Sequence, residues 1–253
     1  MSTSKILILD IETRPSLAYV WGLYNENIPL ARLIEPSEII AVGAKWYGKR
    51  GYFYEAVPYV DGQEYDPLAR PKTLGMVHRL LNEADAVVTY NGDKFDLPKL
   101  YGEFARCDMV PPAPVASIDV YKTVAKMGFA SGKMEHVAPL LGCGEKLPND
   151  GFSMWSEYLK GSPKARRDMR RYNLRDVGVL DTLYTKLRPF IKLHPHLGQK
   201  SDNQCPACES THVQLRGKRR TRKFWIERLH CQDCGAWSDG AKRKVGSVKG
   251  NPS

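Results

Sequence analysis

The sequence contains no apolar run near the roughly 18 to 20 residues that a membrane helix needs; stretches such as Ile6–Leu9 and Ala86–Val88 are far shorter. No membrane association is therefore expected. After Met1-Ser2-Thr3-Ser4-Lys5 there is no charged n-region, long apolar h-region or small-residue cleavage site, so no secretory signal is read and an intracellular, cytoplasmic setting is expected. Cysteine is sparse, six in 253 residues, and in a reducing compartment these argue against a disulfide scaffold. Internal repeats are absent. Acid is in deficit, 28 Asp and Glu against 38 Lys and Arg, for a net charge of +10. Residues 200–253 hold twelve of the basic residues and five of the acidic ones, so most of the excess lies in the tail. Such a field attracts polyanions, nucleic acid first among them, although a tail that only solubilises has the same composition.

What is present suits a globular core: 42% of residues are hydrophobic, 26% charged and 10% aromatic. Ile6–Leu9 is a continuous aliphatic run, as in a central strand buried on both faces. Residues 39–46 and 52–57 read as two further strands joined by the turn Gly48-Lys49-Arg50-Gly51. Leu74, Val77, Leu80 and Leu81 repeat at helical spacing before a strand at 86–90. Helices are expected after Phe95, from Val120, around 135–141, and from Pro163, where Ser162 suits the N-cap and Pro189 the stop. The domains expected are a catalytic unit over 1–191, a linker over 192–203, a cysteine-bearing module over 204–240, and a basic, disordered tail over 241–253.

Asp10 and Glu12 are one residue apart at the end of the first strand, so both side chains leave the same face. A second acidic segment, Tyr90-Asn91-Gly92-Asp93-Lys94-Phe95-Asp96-Leu97-Pro98, follows a strand and opens a helix; Asp93 and Asp96 both suit capping. In the long helix, Tyr172 and Asp176 are four apart and one turn from each other.

These three segments resemble the three motifs of the DEDD (DnaQ-like) superfamily of 3′–5′ exonucleases, which have a ribonuclease H-like fold. Asp10-Ile11-Glu12-Thr13 matches the Asp-x-Glu motif. Residues 90–98 match Tyr-Asn-x-x-x-Phe-Asp-x-Pro, the version in the proofreading domains of family B DNA polymerases. Tyr172 and Asp176 match Tyr-x-x-x-Asp of the tyrosine subclass; the histidine subclass would need His where Arg171 stands. Ser117-Ile118-Asp119-Val120-Tyr121 and Lys133-Met134-Glu135-His136-Val137-Ala138 are also similar to the proofreading domain. The resemblance spans about residues 5–190, with no polymerase palm or fingers segment. It implies an α/β fold, a mixed sheet flanked by helices, and a stand-alone exonuclease of a prokaryotic or phage-infected cell.

The resemblance further implies that Asp10, Glu12, Asp96 and Asp176 bind two divalent ions, Mg2+ or Mn2+, with Asp10 bridging. Tyr172 would orient the attacking water, its ordinary pKa near 10 making it a poor base at neutral pH. Two ions about 4 Å apart suit an in-line displacement at phosphorus, and hard cations prefer carboxylate oxygens. Thr13, Asn91 and Phe95 either touch the terminal nucleotides or serve turn, cap and core. Arg166, Arg167, Arg170 and Arg171 either steer the phosphate backbone or form a solvated helix face.

Cys205-x-x-Cys208 and Cys231-x-x-Cys234 enclose 22 residues, a spacing compatible with a structural four-thiolate Zn2+ site. About 50 residues cannot build an apolar core unaided, and the pattern resembles a zinc ribbon. His212 and His230 rank below the cysteines as ligands. Between the knuckles, Arg219, Arg220, Arg222 and Lys223 stand beside Trp225, the mixture that neutralises phosphates and stacks on a base; a solvated hairpin with Trp225 packed on the knuckle has the same letters.

The function expected is metal-dependent release of nucleoside 5′-monophosphates from single-stranded DNA or frayed 3′ ends. An exoribonuclease of the same superfamily is the enzyme alternative, and a non-catalytic nucleic-acid-binding ribbon protein the alternative of another class. A replication or repair protein is the further partner the ribbon admits.

Overall fold

A computed structural model describes residues 4–24, 26–58, 69–145, 147, 152–192, 194–197 and 204–245. The chain divides into two compact units, Lys5–Leu183 and one that begins at Tyr184. The division falls inside the long helix, eight residues before the expected boundary. Among the described residues no helix is long and apolar enough to cross a membrane.

The first unit is built on five strands: β1 (Ile6–Thr13), then, after a short ribbon of β2 (Leu17–Ala18) and β3 (Leu33–Glu35), β4 (Ile39–Trp46), β5 (Phe53–Ala56), β6 (Ala86–Thr89) and β7 (Ala116–Asp119). Their order in the sheet is β5-β4-β1-β6-β7. The pairs of β1 with β4 and of β4 with β5 are antiparallel, as in the expected hairpin, whereas β6 runs parallel to β1 and β7 parallel to β6. The central run pairs on both edges and is buried on both faces, with Leu7, Ile8 and Leu9 wholly inaccessible. This is the expected mixed α/β sheet flanked by helices.

Strand alternation decides what each face carries. Leu7, Leu9 and Ile11 join Val42, Ala44 and the helix residues Leu74, Val77, Leu80, Leu81, Leu100 and Phe104 in one core. These last come from α1 (Ala69–Glu83) and α2 (Asp96–Arg106), so both helices cover the odd-numbered face of β1. Two short helices follow, α3 (Val120–Val124) and α4 (Met134–Leu140), as the sequence predicts. The even-numbered face carries Asp10 and Glu12 and, in register with them, Gly43 and Ala41 of β4. It is covered by α5 (Phe152–Leu159) and α6 (Pro163–Leu187), through Tyr158, Ala165 and Met169 packed on Ile40 and Ala41. Ser162 caps α6, its Oγ accepting from the Ala165 N–H at 3.3 Å, and a 3-10 turn with Pro189 ends it.

In the second unit, β8 (Val213–Arg220), β9 (Phe224–Cys231) and β10 (Trp237–Lys244) form an antiparallel sheet in the order β10-β9-β8. Its buried cluster is small: Cys205, Ala207, Cys231 and Ala236. The module extends past its expected end at 240, because Lys242, Arg243 and Lys244 pair with Ile226, Trp225 and Phe224. Residues 241–244 are thus strand, a correction to the disordered tail, and residues 246–253 lie outside the described ones. Of the expected linker, residues 193 and 198–203 also lie outside them.

Candidate active site and metal centres

Asp10 and Glu12 leave β1 toward α6, and Asp176 faces them from the buried side of that helix. One carboxylate oxygen from each of the three lies within 4.8 Å of the other two. Glu12 and Asp176 are buried and Asp10 is half-buried. Three hard oxygen donors converging from a strand and a facing helix fit a divalent cation of the Mg2+ or Mn2+ kind. They also repel one another strongly when no cation is bound.

Asn173, one turn before Asp176 and wholly buried, fixes the first of these carboxylates. Its Nδ2 donates to Oδ2 of Asp10 at 2.8 Å. Room for this amide exists because position 43 is glycine: a Cβ there would overlap the Asn173 side chain and stand 3.2 Å from Val177 Cγ2. Asn173 lies inside the quoted motif segment, yet nothing in its spacing marks it as more than a helix residue.

Asp96 is placed differently. It is the first residue of α2, is 5% exposed, and its Oδ1 accepts from the backbone N–H of Ile11 at 3.2 Å. That N–H is free because β1 pairs with β6 only from Ile6 to Ile8, after which β1 continues alone on that edge. Asp96 is not among the three carboxylates that converge. Burial, opposed by the Ile11 N–H and reinforced by the charge of Asp119, raises its pKa to about 7.

The turn before Asp96 is held by Asp119 at the end of β7, whose Oδ1 accepts from the Asn91 N–H at 2.8 Å. Asn91 adopts the left-handed conformation, φ 64°. Gly92 presses so closely on the buried Thr89 that a Cβ would overlap its side chain. Asp93 accepts from Ser117 and pairs with Lys122. Although burial pushes its pKa up, these partners outweigh that and hold it low. It does not occupy the N-cap of α2: Phe95 does, with no side-chain cap bond, and is 42% exposed, outside the core.

Tyr172 is half-buried, edge-on to Trp155 with centroids 5.9 Å apart, and lines a cavity of about 340 Å³ with Lys164, Asp168 and Arg171. Thr13 is half-buried and follows a register shift between Glu12 and Thr13. A second phenol, missed by the sequence reading, stands in the cross-strand row Asp10, Gly43, Tyr54. The Tyr54 hydroxyl is buried without a hydrogen-bond partner among the described residues. Burial and the charge of Glu12 push its pKa up, while Arg170, 5.7 Å from the ring centre, opposes them. Only the pairing of three strands brings Tyr54 into that row, so no local pattern could reveal it.

In the second unit the four sulfurs of Cys205, Cys208, Cys231 and Cys234 lie within 4.8 Å of one another. Cys205–Cys234 and Cys208–Cys231 are each 3.6 Å apart, too long for a disulfide and close to the roughly 3.8 Å edge of a tetrahedron with 2.3 Å zinc–sulfur bonds. Burial pushes the Cys231 thiol up, but the N–H groups of Cys234 and Asp233 outweigh it and bring it to about 7, toward the thiolate that binds metal. Burial pushes the Cys205 and Cys208 thiols up. The donor set fits a closed structural Zn2+ site.

Of the basic residues named from the sequence, Arg219 is committed to an ion pair with Asp239 at 2.7 Å, Arg220 lies over the Trp225 ring at 5.6 Å, and Arg222 and Lys223 are exposed. A second exposed aromatic, Trp237, stacks on His230 with centroids 4.5 Å apart and carries Arg228 at 5.5 Å.

No curated protein matches this sequence. A family profile described as RNase H superfamily (RNase_H_2) matches residues 35–188, a span that contains Asp96, Tyr172 and Asp176 and begins after the strand of Asp10 and Glu12. Domains of this superfamily are usually nucleases that use divalent metals, which agrees with the carboxylate triad between β1 and α6. The match covers more than half of the sequence and all but the first of the five principal strands: the chain belongs to the RNase H superfamily.

Proposed function

We propose that this protein is a 3′–5′ exonuclease that hydrolyses single-stranded DNA or frayed 3′ ends to nucleoside 5′-monophosphates. The observation that carries the reading is the convergence of Asp10, Glu12 and Asp176 within 4.8 Å, in a chain whose order of motifs is that of the tyrosine-subclass enzymes. Asp10, Glu12 and Asp176 would hold divalent ions of the Mg2+ or Mn2+ kind, with Asp96 completing the set. Such ions, when bound, lower the pKa of water and neutralise charge on the transferring phosphoryl group.

The chain's own residues supply position and charge. Asn173 orients Asp10; the Ile11 N–H orients Asp96. Tyr172 would direct the attacking water by hydrogen bonding rather than take its proton, since a phenol near pKa 10 is a weak base at neutral pH. Attack of the water oxygen forms a new bond to phosphorus and breaks the bond to the 3′ oxygen of the preceding nucleotide; the water gives up its proton to solvent, and the leaving oxygen takes one from solvent. Asn91, Phe95 and Thr13 are assigned to the terminal nucleotides. The cysteine module is assigned as a zinc ribbon that holds the strand through Arg220, Arg222, Lys223 and Trp225.

A 5′-labelled single-stranded DNA oligonucleotide, incubated with Mg2+ or Mn2+, tests the reading. A descending ladder that disappears in Asp10→Ala supports it. Labelled RNA of the same sequence decides the sugar: a ladder from RNA alone replaces the DNA exonuclease with an exoribonuclease. Cleavage of neither, by a zinc-loaded protein that binds both, overturns the enzyme.

A further inference from the structure

Between β1 and β4 the chain makes an excursion, residues 14–38, that the motifs leave unused. It is pinned at its base: the Arg14 N–H donates to the Glu38 carbonyl at 2.9 Å, and the Arg14 side chain pairs with Glu35 and Glu38. Farther out, β2 and β3 form its stem, and the Tyr19 N–H donates to the Arg32 carbonyl at 3.0 Å. Beyond the stem the apolar side chains turn outward. Tyr19, Trp21, Leu23, Tyr24 and Leu30 are 73, 89, 86, 88 and 86% exposed. An apolar patch of this kind on a soluble domain marks a contact surface.

The charged groups beyond the stem's base are paired internally. Glu26 and Arg32 are its only charges from 15 to 34, and they pair with each other. Glu26 also accepts from the N–H groups of Trp21 and Gly22, both at 2.9 Å. Arg32 lies over the Trp21 ring, 5.9 Å from its centre. The surface is therefore aromatic, with its two charges paired to each other. It offers phosphates nothing and offers flat uncharged rings a great deal.

Its position names the occupant. Both ends of the excursion join the sheet at the carboxylate rim: Thr13 is in register with Ile39, and Glu12 with Ala41. A strand that delivers its 3′ end to Asp10 and Glu12 must pass this rim. We propose that residues 17–24 and 26–34 form a base-stacking arm, on which the unpaired bases of a single strand lie against Trp21, Tyr24 and Tyr19, upstream of the bond to be cut. The assignment rests on the nuclease reading of the carboxylate site. Stacking tolerates any base, so the arm supplies affinity without sequence preference.

The experiment measures binding of a 5′-fluorescein 12-mer of deoxythymidine by fluorescence anisotropy, with the full chain in an Asp10→Ala background so that nothing is cut. Trp21→Ala with Tyr24→Ala removes side chains almost wholly in solvent, and circular dichroism checks the fold. The expected loss is roughly thirtyfold or more, from two stacked bases. Two further features are specific to stacking. The slope of log affinity against log salt stays unchanged, because no phosphate contact is lost. A strand with abasic sites upstream of its 3′ end binds more weakly to the parent protein and loses nothing more in the double variant.

Equal affinity of parent and double variant for the 12-mer overturns the arm, as does an equal loss on the abasic strand. Self-association that the double variant abolishes at unchanged strand affinity also overturns it, in favour of a second copy as occupant. The catalytic reading is tested apart from the arm by hydrolysis of thymidine 5′-p-nitrophenyl phosphate by the wild-type protein, a substrate with one base and no strand. Binding that depends on Trp21 without ester hydrolysis upholds the arm and sinks the exonuclease. Ester hydrolysis without strand binding does the reverse.

Discussion

Gly43 of β4 and Asn173 of α6 occupy one space: a methyl group on Gly43 would overlap the amide that holds Asp10. The smallest residue of the sheet is thus what permits the helix to reach the carboxylate. Gly43→Ala is expected to cost about 1–3 kcal/mol of stability, as overpacking does. Asn173→Ala is expected to lower activity or Mn2+ affinity roughly ten- to hundredfold, the usual cost of losing a residue that orients a metal ligand. Thermal unfolding and Mn2+ titration of turnover check the two; unchanged Mn2+ dependence in Asn173→Ala would remove its role.

The state of Asp96 predicts a pH dependence of the metal-free protein. Its folded pKa of about 7 lies above the ordinary value of 3.8 because the carboxyl is buried. Between these values the folded chain holds a proton that the unfolded chain releases, so raising the pH through this window lowers stability. Without divalent ions, urea midpoints should fall from pH 5 to pH 7.5, and Asp96→Asn should flatten that fall. Mg2+ should raise the midpoint more at pH 7.5 than at pH 5, since it competes with that proton.

Asp93 and Asp96 are three residues apart and differ in environment. Asp93 is paired with Lys122 and Ser117, away from the three converging carboxylates. Asp93→Asn is expected to keep turnover within a few fold, whereas Asp96→Ala should reduce it a hundredfold or more. Steady-state rates on one labelled oligonucleotide compare them directly.

Tyr54 tests the accounting of buried polar groups. Its hydroxyl has no hydrogen-bond partner among the described residues, so Tyr54→Phe should leave stability unchanged or raise it by about 1 kcal/mol. A loss of that size in urea unfolding would show that the phenol is bonded in solution.

The thiolate cluster predicts one zinc per chain, released by four equivalents of a thiol-modifying mercurial. Cys208→Ser with Cys231→Ser should carry none, and the near-ultraviolet circular dichroism of Trp225 and Trp237 should collapse with it. Retention of that signal without zinc would show that the three strands stand without metal.

Much of the fold was legible because its signals are local. The aliphatic run ending at Asp10, the helical spacing of Leu74 to Leu81, and the Ser162-Pro163 start of α6 each carry their structure in a few adjacent letters. What was missed depends on pairing between distant segments. Lys242-Arg243-Lys244 reads as a loose basic end until β9 is laid beside it. The arm over 17–24 and 26–34 has neither strand nor helix period, and its aromatics face solvent, so hydrophobic patterning has no core to report. Asn173 and Tyr54 gain their places from Asp10, and Asp10 meets them only across the sheet and from α6.

β6 is shorter than its neighbour, and that difference in length makes the site. It stops at Thr89, having paired with β1 only as far as Ile8, which leaves the Ile11 N–H for Asp96. Extending β6 by two or three residues would offer that N–H a backbone carbonyl and displace the carboxylate, with every acidic residue still encoded. The extent of one strand therefore fixes where Asp96 stands as firmly as the acid itself does, and a catalogue of acidic side chains would never include it.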